Sequence, residues 1–264
     1  MTNVNPQMKI GLIGEGAIGS YVIKCLEHLD IPVHTILVRP TRLKSKQGLR
    51  VTTAANIPID TALMVDCAGH SALQQHGTTI LERGIDLITV SVGALANEDL
   101  YQQLKQAAKR GGSKLFLATG AIGSLDCLRA AKVGGLETVT YIGRKPPSGW
   151  RGSPAENQLD LTNILTPVTH FRGNAREAAL AYPKNANVAA AIALAGLGFD
   201  NTSVELIADP DIHRNIHQIE ASGLFGTFSF TIDGNALPDN ERSSALAAMS
   251  VVSSILQRYE TIVI

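Results

Sequence analysis

The stretch MKIGLIGEGAIGS constrains the fold more than any other part of the chain. A short apolar run ends in glycines and passes into a helical repeat, with Ile18, Val22, Cys25, Leu26 and Leu29 recurring at helical intervals. Gly14, Gly16 and Gly19 stand in G-x-G-x-x-G spacing, which is weak alone but specific between a strand and a helix. Each glycine has a physical task there. Gly14 makes the tight turn, Gly16 lets the backbone approach a pyrophosphate, and Gly19 lets helix and strand pack closely. The helix N-terminus then turns free N–H groups and a positive dipole end toward phosphate, so Ala17 and Ile18 join the glycines as expected contacts. The plainer reading is a strand–helix turn with no ligand.

The strand–helix alternation continues. VHTILV (33–38), LMVDCAG (63–69), DLITVSVGAL (86–95) and KLFLATGAIG (114–123) read as strands, with helical stretches reaching Arg83 and covering NEDLYQQLKQAAKRGG. This order predicts a Rossmann-type, doubly wound parallel sheet over residues 1–122. From about residue 120 the pattern changes. ETVTYIGRKP, PVTHFRGNA, NTSVELIADP, NIHQIEASG and FGTFSFTIDG read as strands with few helices between them, and the last three follow one another with turn-sized gaps. The expectation is an α+β second domain over 123–240 with a largely antiparallel sheet. The helix from Leu125 is expected to carry the chain between the two domains. The tail, 241–264, reads as a helix and a short apolar strand packing back on the first domain.

A dinucleotide turn usually has an acid about 20 residues on, to hold the ribose hydroxyls. Here no Asp or Glu lies between Asp30 and Asp60, and the interval holds Arg39, Arg42, Lys44, Lys46 and Arg50. Arg39 and Arg42 fall where a 2′-phosphate would lie, and a guanidinium grips phosphate bidentately. NADP is therefore favoured over NAD, against the plainer reading of a solvated basic loop. Small residues end two later strands, and Cys67, Ala68, Gly69 and Ala121 leave room for a nicotinamide ribose, although each also suits simple packing.

Composition excludes several classes. Lys+Arg and Asp+Glu both number 23 in 264 residues, without the basic excess of a nucleic-acid binder. Hydrophobic residues make up 45% and charged ones 17%, enough to fill a core. Three scattered cysteines suit neither a disulfide framework nor a metal site, so no metal is expected and a reducing, cytoplasmic setting is. No signal-peptide pattern opens the chain, and its longest apolar run, 188–199, is shorter than the roughly 20 residues of a membrane span.

In NIHQIEASG, period-two alternation puts Asn215, His217, Ile219 and Ala221 on one strand face. A histidine titrating near neutral pH there is either a satisfied core residue or a working acid/base. His213 falls in the preceding loop, and His28, His34, His76 and His170 read as surface or packing residues. His70, at a strand end, is a second candidate. In YPKNANV, Lys184 and Asn185 precede a helix starting near Asn187. They read equally as substrate contacts or as helix-capping residues. Arg144 and Lys145 of IGRKPP offer positive charge for a carboxylate, without a ranking among the cations.

GAIGSLDCLRAAKVGGLETVTYIGRKP, YPKNANVAAAIALAGLG and LIADP…NIHQIEASGLFG, in this order, resemble the L-aspartate dehydrogenase family over nearly the whole chain. The resemblance implies oxidation of L-aspartate to iminoaspartate with NAD or NADP. The imine feeds pyridine nucleotide biosynthesis or hydrolyses to oxaloacetate and ammonia. It also implies that 123–240 is an α+β catalytic and dimerisation domain with an open sheet, that the protein is a homodimer, that His217 is the active-site histidine, and that Ala121 and Asn187 are cofactor contacts. Two rival expectations are an imine reductase of the dihydrodipicolinate reductase type, whose paired histidines this chain lacks, and a noncatalytic NADP sensor.

Overall fold

The structure, a computed structural model, describes residues 8–43, 48–183, 187–238 and 240–263. The chain forms two compact units. One takes in residues up to Ala118 together with those from Ala247 on, and the other runs from Thr119 to Leu246.

In the first unit, β1 (Ile10–Ile13) leads into α1 (Ala17–His28), then β2 (Val33–Leu37), β3 (Leu49–Val51) and β4 (Leu63–Asp66). After these come α2 (His70–Glu82), β5 (Asp86–Thr89), α3 (Glu98–Gly111) and β6 (Leu115–Leu117). The sheet has the order β3-β2-β1-β4-β5-β6 with every pair parallel. Strands β1 and β4 are buried on both faces, the condition of a parallel sheet covered by helices. The order reverses between β1 and β4, and ligands of such sheets bind beyond the strand ends at that point. Local signals fix the helix ends. Asn97 caps α3 by accepting from the Leu100 N–H at 3.0 Å, and Gly112 closes it in the left-handed conformation.

In the second unit, α4 (Leu125–Gly134) precedes β7 (Leu136–Lys145), β8 (Val168–Asn174), α5 (Ala175–Ala181) and α6 (Asn187–Ala195). There follow β9 (Ser203–Ala208), β10 (Asn215–Gly223), β11 (Gly226–Gly234), β12 (Ala236–Leu237) and β13 (Asn240–Ser244). The main sheet is β11-β10-β7-β9-β8; β7 and β9 are parallel and the other three pairs antiparallel. Helix α4 lies wholly inside this unit, so the crossing comes earlier than expected, at Ala118–Thr119.

Two strand expectations need correction. Strands β9 and β10 do run in opposite directions, but β7 lies between them and pairs with both, so only β10 and β11 form a hairpin. The tail after α7 (Ala245–Leu256) forms no strand over 260–263, where Ile262 and Val263 are exposed and pair with no sheet. The return to the first unit begins at Ala247. Val251, Val252 and Ile255 of α7 join Ile10, Leu12, Val22, Leu63 and Val65 in its core.

Candidate active site

A cleft of about 370 Å³ opens where β1, β2 and β4 end, within the size range of small-molecule sites. Of the expected cofactor residues, Gly14, Gly16, Arg39, Arg42, Cys67 and Ala68 line it. Gly14 has φ +83°, a conformation that favours glycine, and a side chain there would meet Ala68 Cβ at 2.8 Å. At Gly19 an added Cβ would fall 2.4 Å from the Gly14 carbonyl oxygen. At Gly16 it would meet nothing within 4 Å, so the bare backbone there faces open space. Ala17, Ile18 and Gly19 form the first turn of α1, whose N–H groups have no intrahelical partners, and Gly16 adds no capping side chain. A bare turn, free N–H groups and an open cleft fit a dinucleotide pyrophosphate.

Arg39 lies two residues past the end of β2, where the ribose-binding acid would stand, and is exposed. Arg50 does not belong with it. Its Nη1 donates to Glu15 Oε2 at 2.9 Å in a buried ion pair that ties β3 to the glycine turn. Lys44 and Lys46 lie outside the described residues.

The far wall is held by a residue that sequence reasoning missed. The buried carboxylate of Asp66 accepts from the Ala68 N–H at 2.9 Å, Thr89 Oγ1 at 2.8 Å and Ser91 Oγ at 2.6 Å. Burial raises its pKa, and these donors oppose the rise. The network fixes the turn of Cys67 and Ala68. Burial, then the charge of Asp66, raises the Cys67 thiol pKa, so Cys67 is a wall rather than a nucleophile. Gly69, at φ +96°, is the N-cap of α2 and His70 its first residue. His76, read as surface or packing, is buried and lines the cleft with Ser71 and Gln75.

The other expected residues belong to the second unit. Ala121 is buried in the turn before α4, and Asn187 is the first residue of α6. Lys184 and Asn185 lie outside the described residues. His217 sits mid-strand in β10, 4% exposed, opposite Gly143 of β7. Register puts Tyr141, Gly143 and Lys145 on the same sheet face as His217 and Ile219. The Tyr141 hydroxyl lies 2.8 Å from His217 Nδ1, and the two rings stack with their planes 24° apart. Gly143 makes this possible, because a Cβ there would fall 2.6 Å from the phenol oxygen.

Burial, then the positive charge of Lys145, pushes the His217 pKa down to about 3. The imidazole is therefore neutral at physiological pH, not poised near 7 as expected. Burial likewise lowers Lys145 to about 8, with its ammonium 5.2 Å from the centre of the Trp150 ring. Arg144, one residue earlier, faces the other way, and its Nη1 pairs with the buried Asp209 at 3.2 Å. The structure thus separates the two cations, and Lys145 is the one beside the histidine. His170 is a packing residue, edge-on to Trp150 and 3.2 Å from the Tyr182 hydroxyl, with burial lowering its pKa to about 4. Among the described residues, no group of His, Cys, Asp and Glu is placed to hold a metal.

Comparison with known proteins covers both units. Residues 126–258 match the model of the aspartate dehydrogenase C-terminal domain, and residues 14–118 that of the homoserine dehydrogenase NAD-binding domain. An L-aspartate dehydrogenase of Ruegeria pomeroyi is 52% identical over 96% of this chain and 93% of its own length. One of Pseudomonas aeruginosa is 46% identical over 94% and 96%. The crystal structure of aspartate dehydrogenase from Thermotoga maritima superposes with a TM-score of 0.79 at 26% identity, over 97% of this chain and 99% of that one. At this likeness, along nearly the full length of both partners, the chain belongs to the aspartate dehydrogenase family.

Proposed function

We propose that the chain oxidises L-aspartate to iminoaspartate with NAD(P), with NADP preferred and His217 as the catalytic residue. The observation that carries the second half is the buried, uncharged His217 sharing one sheet face with Tyr141 and Lys145. A bound nicotinamide dinucleotide supplies the hydride acceptor. The chain's own residues do the rest. Gly14 and Gly16 with the first turn of α1 (Ala17, Ile18, Gly19) hold the pyrophosphate, and Arg39 and Arg42 hold a 2′-phosphate. Lys145 binds a substrate carboxylate, because a dicarboxylate needs fixed positive charge. Its carboxylates bring negative charge to the face and oppose the downward shift of His217. The Nε2 side of the imidazole hydrogen-bonds the reacting nitrogen as amine becomes imine, and water then releases oxaloacetate and ammonia from the imine.

Supports of other kinds bear on the remaining residues. Cys67, Ala68 and Gly69 wall the nicotinamide end by their small size, while Ala121 and Asn187 as cofactor contacts rest on the family resemblance. The two-domain division, the homodimer and the cytoplasmic setting rest on sequence pattern and that resemblance. Among the described residues, no helix is long and apolar enough to cross a membrane. No observation favours the imine reductase or the sensor.

The test is turnover of NADP with aspartate by the wild type and by His217→Ala. A positioned acid/base contributes ~10²–10⁴-fold, so kcat should fall by that factor while NADP affinity and thermal melting stay near wild type. A stable variant with wild-type kcat would remove His217 from the mechanism.

A further inference from the structure

We propose that Tyr141 is a positioning residue that holds His217 in the tautomer with hydrogen on Nε2, so that the imidazole meets the substrate as an N–H donor. The proposal rests on His217 being the catalytic residue and specifies its state. The phenol oxygen and Nδ1 are 2.8 Å apart, and the two side chains are 1% and 4% exposed. Among the described residues, each side chain is the other's one hydrogen-bond partner. A phenol has one hydrogen to donate, and a neutral imidazole has one nitrogen that accepts. If Nδ1 carried the ring hydrogen, it would donate to the phenol oxygen. The phenol's own hydrogen would then be buried without an acceptor, which folded proteins avoid. With the phenol donating to Nδ1, both groups are satisfied and the ring hydrogen stands on Nε2.

Charge does not disturb this assignment. Burial raises the Tyr141 pKa and keeps the phenol protonated, while burial and Lys145 keep the imidazole uncharged. Two positions of β7 support the same contact. Tyr141 supplies the hydroxyl, and Gly143, opposite His217, leaves the space it crosses, since a Cβ there would also fall 3.0 Å from the ring carbon bearing the hydroxyl. Glycine inside a strand often marks such a close approach. A neutral imidazole N–H is an effective electrophile, and here it would donate to the imine nitrogen or a carboxylate oxygen of the substrate.

The experiment is ¹⁵N NMR of the histidine ring nitrogens at neutral pH, with the His217 signals assigned by their loss in His217→Ala. The wild type should show hydrogen on Nε2 and an unprotonated Nδ1. Hydrogen on Nδ1 would overturn the proposal. Tyr141→Phe and Gly143→Ala, which reach the same contact from opposite sides, should give mixed tautomers. Each should lower kcat about tenfold, with KM for the cofactor unchanged. Wild-type spectra and kcat in both variants would also overturn it. If Tyr141→Phe fails to fold, the wild-type spectrum and Gly143→Ala decide. Wild-type turnover by His217→Ala would instead sink the catalytic assignment, and the ring spectrum would still settle the tautomer.

Discussion

In the first unit the ligand cleft is shaped by side chains that are missing: three glycines, an alanine and a small thiol around bare backbone and helix-end N–H groups. In the second unit the candidate site is crowded, with a phenol, an imidazole, an ammonium and an indole packed on one face of a mixed sheet. The difference is the one that the ligands of the proposed function call for. A pyrophosphate asks for access to backbone N–H groups and little else. Selecting one amino acid and moving its protons asks for specific groups held without solvent. Backbone sites are built by local turns, and crowded ones need residues far apart in the chain.

The sharpest way to break this comparison is at Lys145. If it meets a substrate carboxylate, Lys145→Met leaves that charge unpaired at a cost of roughly 2–5 kcal/mol, or about 30-fold or more in kcat/KM for aspartate. Alanine, lacking the side-chain carboxylate, should be affected far less. Equal losses for both amino acids in steady-state kinetics would show that the crowded face does not select by charge. Next in size is Arg39→Asp, which should weaken NADP over NAD by about 10- to 150-fold, the worth of one charge-assisted contact. Equal effects in cofactor titrations would leave Arg39 as a solvated charge. The glycines then separate shape from access. Gly19→Ala forces a Cβ against the Gly14 carbonyl and should lower unfolding stability by roughly 1–3 kcal/mol. Gly16→Ala should melt like wild type without ligand and still lose cofactor affinity, which differential scanning with and without NADP reads directly.

The smallest effect is acid sensitivity, and two histidines of the crowded unit contribute to it. His217 and His170 have folded-state pKa values lowered to about 3 and about 4, against about 6.5 unfolded. Their neutral forms are native. Their contribution is therefore intact above pH 6.5 and is lost as pH falls toward 4, because the unfolded chain binds more protons. By pH 5.5 the loss should be on the order of 1 kcal/mol for each histidine. Urea titrations of the wild type and of His170→Phe at pH 8 and 5.5 test this, and an unchanged pH dependence in the variant would remove His170 from the account.

The same contrast explains what the sequence reveals. Glycine spacing, strand–helix alternation and the missing acid after β2 are local signals, and each marks a feature of the cleft. Asp66 is invisible in this way, since two of its three donors, Thr89 and Ser91, come from the end of β5 and just beyond it, and its value depends on full burial. Tyr141 and Lys145 meet His217 only through the β7–β10 register, which joins residues over 70 positions apart. A glycine inside TYIGRKP was the one local hint. The intercalation of β7 between β9 and β10 is likewise set by pairing rather than by neighbouring sequence. The pKa of His217 could not be read either, because a strand pattern gives a face and not a depth.

The placement of α7 has a consequence for biosynthesis. Val251, Val252 and Ile255 lie in the core of the first unit, beside strands made more than 180 residues earlier. A ribosome that has released β1 to β6 has not yet supplied this part of that core. Strand β7 waits too, since its partners β9 and β10 follow it by about 60 to 80 residues. The order of completion is thus the reverse of the order of synthesis: the second unit can close once β13 has emerged, and the first only when the tail arrives. During that interval the nascent first unit exposes the apolar surface that α7 will cover, the stage at which folding chains are open to aggregation and chaperone capture.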